Sequence, residues 1–215
     1  MKKANGILLV LMLLSFTGIM GQSLYEELIR RGWDKSTLEM ANTAKQTKYL
    51  SNEEKEVILF INLVRLKPST FLKIHIHNTE EQYDNDYYYQ SLVETLEKMQ
   101  PVSALLPDSM LTRIARNYAI SSGEKGFVGH GDFSQRMKKI KCIGIRAENI
   151  SYGIQSPEWI VIDLLVDNNV PSLGHRKNIL DLDLRYIGVG IAPHNGYDYN
   201  CVIDFSSCMD SITPR

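Results

Sequence analysis

Two of the five histidines sit in settings suited to chemistry. His130 stands in "VGHGDF" and His175 in "LGHRKN". Each follows a glycine, which lets the backbone approach a partner closely, and histidine is the commonest metal ligand near neutral pH. Between them, "RAENISYG" carries Glu148 with Arg146 as its nearest charge. Imidazole and carboxylate together could hold a divalent ion or hydrogen-bond one another. Spacing alone does not bring these segments together, and a single loop histidine is more often a hydrogen-bonding group than a ligand.

The remaining histidines are weaker candidates. His75 and His77 alternate with Ile74 and Ile76, so a strand would place both on one face. An ordinary helix or edge segment with exposed imidazoles is the preferred expectation. His194 precedes the Asn195-Gly196 turn signal and is expected to be solvated. With Tyr197 and Tyr199 it could instead line a cleft mouth, a less favoured reading. Arrangements for nucleophilic catalysis are poor. Ser172 lies three residues before His175 but has no strand–turn–helix elbow around it. Cys142 lacks the local signatures of a thiol protease. No glycine-rich phosphate loop is present.

The elements that must position these groups follow from periodicity. "SNEE" is a capping box, with Ser51 as cap and Glu54 reaching back. The helix that follows, "KEVILFINLVRL", is apolar almost all round and therefore central and buried, with Pro68 as its stop. Asn62 and Arg65 lie one turn apart on it. Buried polar groups need partners, so these two are expected to tie the helix to neighbouring loops. "NTEEQYDNDYYY" reads as an exposed loop, and "QSLVETLEKM" as a helix ended by Pro101. A helix from Asp108 carries Leu111, Ile114, Ala115, Tyr118 and Ala119 as its apolar stripe, with Gly123 as terminator. Residues 126–153 are glycine-punctuated and read as irregular. Ser156 and Pro157 open a further helix. "RYIGVGIAP" and "NCVIDFSS" flank the Asn-Gly turn as an antiparallel hairpin. Helices first and strands last make an α+β domain.

Bulk properties bound the class. The chain has 215 residues, 44% hydrophobic and 23% charged, with net charge -1. That fits one globular domain and carries no basic footprint for nucleic acid. Lys2 and Lys3 precede "ILLVLMLLSF" and small residues up to Gly21, the layout of a secretory signal and too short for a membrane span. Export to a secreted or periplasmic location is expected, with cleavage near Gly21. The expected organisation is a signal peptide over 1–21, a leader over 22–50, a domain over 51–206 and a tail over 207–215. Export permits disulfides. Cys201 and Cys208 flank an extended stretch too long to bridge, so a bridge from Cys142 to one of them is favoured.

"GHGDF", "AENISYG" and "GHRKNIL…YIGVGIAPH", in that order, resemble the CAP superfamily of cysteine-rich secretory, plant pathogenesis-related and venom-allergen proteins. The type most similar is exported by Bacteroidetes-like bacteria. "EEKEVILFINLVRLKP" looks like the family's first helix. The resemblance spans roughly residues 50–205. It implies an α-β-α sandwich, with a small antiparallel sheet between helical layers. It also implies a cleft of two histidines and two acids. His130, Glu148 and His175 match three of these positions. The fourth, a glutamate after a tryptophan in many relatives, falls here on Asp167 or Asn168, with Asp163 a weaker alternative. Leu165 stands in the tryptophan's place. Arg176 is expected to anchor the "GHR" segment by ion pairing, and Asn178 to cap its turn.

Three functions follow as expectations. The first is a secreted, non-catalytic binding module that takes an unknown small-molecule, lipid or peptide ligand. Its His130, Glu148, Asp167 and His175 could hold Zn2+ or another divalent cation. The second is a metal-dependent, peptidase-like hydrolase with Glu148 as general base. The third is a sterol or fatty-acid carrier. The family does not generally imply catalysis.

Overall fold

A computed structural model of the chain describes residues 23–82 and 86–209. The expected signal peptide therefore lies outside the described residues, as does most of the expected tail. The helices are α1 (Leu24–Arg30), α2 (Lys35–Ala41), α3 (Asn52–Leu66), α4 (Pro68–Phe71), α5 (Tyr87–Lys98), α6 (Ser109–Lys125), α7 (Phe133–Met137), α8 (Pro157–Val166) and α9 (Gly174–Leu180). The strands are β1 (Leu106–Pro107), β2 (Arg146–Tyr152), β3 (Tyr186–His194) and β4 (Asp198–Ser206).

The strand order is β1-β3-β4-β2. The β3–β4 hairpin is antiparallel, as the sequence leads one to expect, and so is the β2–β4 pair. The two-residue β1–β3 pair is parallel and makes the sheet mixed. One sheet face carries Gly188, Gly190 and Ala192 from β3, Val202 and Asp204 from β4, and Glu148 and Ile150 from β2. Helix α6 lies on that face. A Cβ at Gly190 would stand 2.3 Å from Arg116 Cα, and one at Gly188 would stand 2.1 Å from the Thr112 nitrogen. Only glycine lets the helix backbone come so close, which is what "GVG" does here. The opposite face packs Ile187, Val189, Ile203 and Phe205 into the main core with α3, α8 and the N-terminal helices. The result is the expected α-β-α sandwich.

Helix α3 begins with the Ser51–Glu54 capping box and runs buried through the core. Asn62 donates to the Ala41 and Leu105 carbonyls and accepts from the Leu105 amide at 2.7 Å. Arg65 donates to the Ser103, Ile179, Asp181 and Leu184 carbonyls. Burial pulls its guanidinium down to about 10. These two residues gather three chain segments around one helix.

Residues 23–50 are built into the core, with Leu28, Trp33, Leu38 and Ala41 fully buried. Their anchor is His75, which sequence reasoning expects to be exposed. Its side chain is fully buried within a wide helical turn over Leu72–Ile76. Trp33 Nε1–H donates to its Nε2 at 2.9 Å, and its Nδ1 sits 2.6 Å from Glu158 Oε1. Arg31 grips both Glu158 oxygens, at 2.6 and 2.8 Å. Apolar Phe71 and Trp33 cover the ring, so burial lowers the His75 pKa below 6.5.

Other expectations need correction. Tyr87–Tyr89 do not belong to a loop. Asp86 caps their helix and Tyr89 is buried. Residues 83–85 of that stretch lie outside the described residues. Helix α6 passes through Gly123 and ends at Gly126, which takes the left-handed conformation at φ 63°. Gly123 is there for close packing, since a Cβ would stand 2.1 Å from the Pro193 oxygen. The 126–153 stretch is not irregular throughout. It holds α7 and the edge strand β2, whose polar residues hid its alternation. Cys142 pairs with Cys208, and Cys201 is free and buried.

Candidate functional site

Glu148 lies on β2, and its side chain is 1% exposed. It faces the α6 side of the sheet, where His130 and α7 cover it. His130 Nδ1 is 2.9 Å from Glu148 Oε1, and the imidazole is about half exposed, at 52%. Arg136 of α7 bonds Glu148 Oε2 and also donates to the His130 carbonyl at 2.7 Å. The guanidinium is stacked over the Tyr118 ring at 3.5 Å. The Tyr118 hydroxyl donates to the Gly129 carbonyl, and the Gly129 amide donates to the Tyr152 hydroxyl. The His130 loop is thus clamped on three sides.

The second pair is built at the α8–α9 junction. Asp167 ends α8 in the left-handed conformation at φ 59°, one of three non-glycine residues in this connector with positive φ; the others are Asn169 and Leu173. Such backbone costs energy and persists where the surroundings over-determine it. Here the Asp167 carboxylate compensates. Its Oδ1 lies 2.7 Å from His175 Nδ1, and its Oδ2 accepts the His175 and Arg176 amides at 2.9 and 3.2 Å. A carboxylate suits the orphan amides at a helix N-terminus. His175 is therefore in the first turn of α9 rather than in a loop. Asn168 is exposed and takes no part. Burial raises the carboxyl of Asp163 above its ordinary value, with Asp167 adding to the effect and His175 opposing it.

Arg176 anchors the segment, but not by the expected ion pair. Its guanidinium donates to the carbonyls of Leu165, Val166 and Tyr88 and to the Ser91 hydroxyl. Asn178 does not cap a turn. It donates to Asn149 Oδ1 at 2.8 Å, and Asn149 donates to the His175 carbonyl at 3.0 Å. Asn149 is thus the link between the two pairs. It was in view in "AEN", where only its acidic neighbour drew attention. Arg136 and Asp204 were also missed. Asp204 is the register partner of Glu148 and is fully buried. Its signal was a single acid at an inward position of the otherwise apolar run "CVIDF".

His194 is also corrected. It is 4% exposed, stacked edge-on to Tyr152 and Tyr197, with its Nε2 3.1 Å from the Phe127 carbonyl.

The four matched residues therefore form two imidazole–carboxylate pairs on either side of the β2 edge. Among the described residues, no group of three or more His, Cys, Asp or Glu side chains is placed to hold a metal ion. The donor atoms also argue against a closed four-ligand zinc site. Glu148 is taken up by His130 and Arg136, and Asp167 by His175 and two amides, so neither carboxylate is offered to a metal. Each imidazole instead keeps its Nε2 edge without a protein partner among the described residues.

A family model described as the cysteine-rich secretory protein family, CAP, matches residues 60–208. Two solved bacterial structures are similar. An outer surface protein of Borrelia burgdorferi is 22% identical over 66% of this chain and 95% of that one, with a TM-score of 0.42. A cysteine-rich secretory protein of Staphylococcus aureus is 18% identical over 58% of this chain and 40% of that one, with a TM-score of 0.40. None of the curated proteins compared matches the chain. No described helix is long and apolar enough to cross a membrane.

Proposed function

Because the chain belongs to the cysteine-rich secretory protein (CAP) family, we propose that it is an exported, non-catalytic binding module that recognises its ligand through His130 and His175. Lys2, Lys3 and the apolar run that follows support export. One observation carries the reading of the site. Each imidazole is fixed at Nδ1 by a buried carboxylate and presents Nε2 outward. A fixed tautomer with one free ring edge is a directional hydrogen-bonding group. No hydroxyl or thiol among the described residues hydrogen-bonds either Nε2, so nothing is placed as a nucleophile for it to activate. The ligand is a peptide or small molecule with polar groups to meet both edges.

The test is native mass spectrometry of the exported protein, with a peptide-hydrolysis screen run with and without chelator. We expect a species that co-purifies with the wild type and is lost when both His130→Ala and His175→Ala are present, with no hydrolysis. Chelator-sensitive peptide hydrolysis would replace this reading with a metal-dependent hydrolase. A lipid recovered equally from wild type and double variant would replace it with a carrier whose site lies elsewhere.

A further inference from the structure

Behind the exposed His130 lies a second carboxyl group with no obvious reason to be there. Asp204 of β4 is paired in register with Glu148 of β2 and shares its sheet face. Asp204 is 0% exposed and the Glu148 side chain 1%. Neither oxygen of Asp204 meets an N–H or hydroxyl donor among the described residues. Two buried carboxylates side by side, one of them without a donor, would be costly. A single proton between them removes the repulsion and supplies the missing hydrogen bond.

The surroundings indicate which group holds that proton. Glu148 already accepts from His130 and Arg136, whereas Asp204 has no donor, so the proton belongs on Asp204 with Glu148 as its acceptor. The other titratable or charged groups around the pair are Arg146 and Tyr152 on the same face of β2 and Tyr118 of α6. Arg146 is turned to the Ile140 and Cys142 carbonyls. Arg116 of α6 is held by Glu54. Strand β3 offers only the Gly188 backbone opposite Asp204. Asp204 thus has no cation of its own. Burial first, and then the Glu148 carboxylate, raise its carboxyl well above the ordinary carboxylate range, against a smaller opposing pull from Arg136.

We propose that Asp204 is a neutral carboxylic acid that donates its proton to Glu148, so that Asp204, Glu148 and His130 form one hydrogen-bonded line from the core to the surface. Asp204 is then a positioning residue: it holds Glu148 ionised and oriented, and Glu148 in turn fixes the tautomer of His130. This deepens the recognition role given to His130 above and rests on it only for its purpose, not for its chemistry.

The experiment needs no ligand. Histidine NMR titration of the exported protein gives the His130 pKa in the wild type and in Asp204→Asn. The asparagine side chain keeps the shape and a donor for Glu148 but cannot ionise. We expect the two titrations to coincide within about 0.3 unit, because no charge is lost. A fall of about one unit in Asp204→Asn would mean that Asp204 was ionised and would overturn the proposal. Infrared difference spectra between wild type and Asp204→Asn provide a reading on the wild type itself. A protonated-carboxyl C=O band at neutral pH, absent from the variant, supports the proposal, and its absence from the wild type refutes it. Failure to find a ligand would undo the binding-module reading and leave both of these measurements standing.

Discussion

Glu158→Gln removes one charge from the buried anchor of the N-terminal helices and keeps its shape. Burial alone would raise the Glu158 carboxyl, but hydrogen bonds from Arg31 and His75 outweigh it and hold the group down at about 2, against an ordinary 4.5. At about 1.4 kcal/mol per pKa unit, that depression corresponds to roughly 3 kcal/mol favouring the charged, folded form. About a fifth of the side chain (22%) is exposed, and solvent screening reduces the figure to about 2 kcal/mol. The sign follows from linkage. A carboxyl with a depressed folded pKa stabilises the fold fully above its unfolded pKa and loses that contribution as pH falls through the folded one. Urea unfolding, followed by the fluorescence of buried Trp33, should therefore show the variant about 2 kcal/mol weaker at pH 7. The gap should shrink below pH 4.5, fall to less than half by about pH 3 and close near about pH 2. A gap under about 0.5 kcal/mol at pH 7, or one that does not change with pH, would refute the reasoning.

Three further outcomes are expected. Gly190→Ala should cost about 2–3 kcal/mol in urea unfolding, because the new Cβ meets the α6 backbone at Arg116 rather than a side chain that can yield; a neutral effect would mean that α6 is not seated as described. Asn62→Ala should lower Tm by several degrees, since it strands the Leu105 amide in the core and removes two further hydrogen bonds, and differential scanning calorimetry will show whether it does. Replacing Cys142 and Cys208 together with serine should cost up to about 4 kcal/mol on the chain-entropy account, given a separation of 66 residues, and reducing agent should then no longer shift the unfolding midpoint.

Much of this molecule is legible in its residues taken one segment at a time. The capping box at Ser51, the all-round apolar α3, the proline-opened α8 and the Asn-Gly hairpin are local events, decided by propensity and by neighbours three or four residues away. Asn62 and Arg65 announce themselves as polar residues on a helix with no wet face. The family motifs likewise mark His130, Glu148 and His175.

What the residues could not disclose is who meets whom. His75 and His194 look like surface histidines because their own segments are unremarkable. Their burial comes from Trp33, Phe71 and Glu158 in one case and from Tyr152, Tyr197 and the Phe127 carbonyl in the other, most of them far away in the chain. Glycines 188 and 190 look like weak points in a strand until a helix backbone is found against them. The choice of Asp167 over Asn168 is made by a left-handed turn that aims one carboxylate at the first amides of α9. The division of the four cleft residues into two separate pairs is made by the β2 edge, with Asn149 between them. Sequence periodicity determines which face of an element is buried. Register and packing alone decide which polar groups share that burial, and so Asp204 became visible only when β4 was laid against β2.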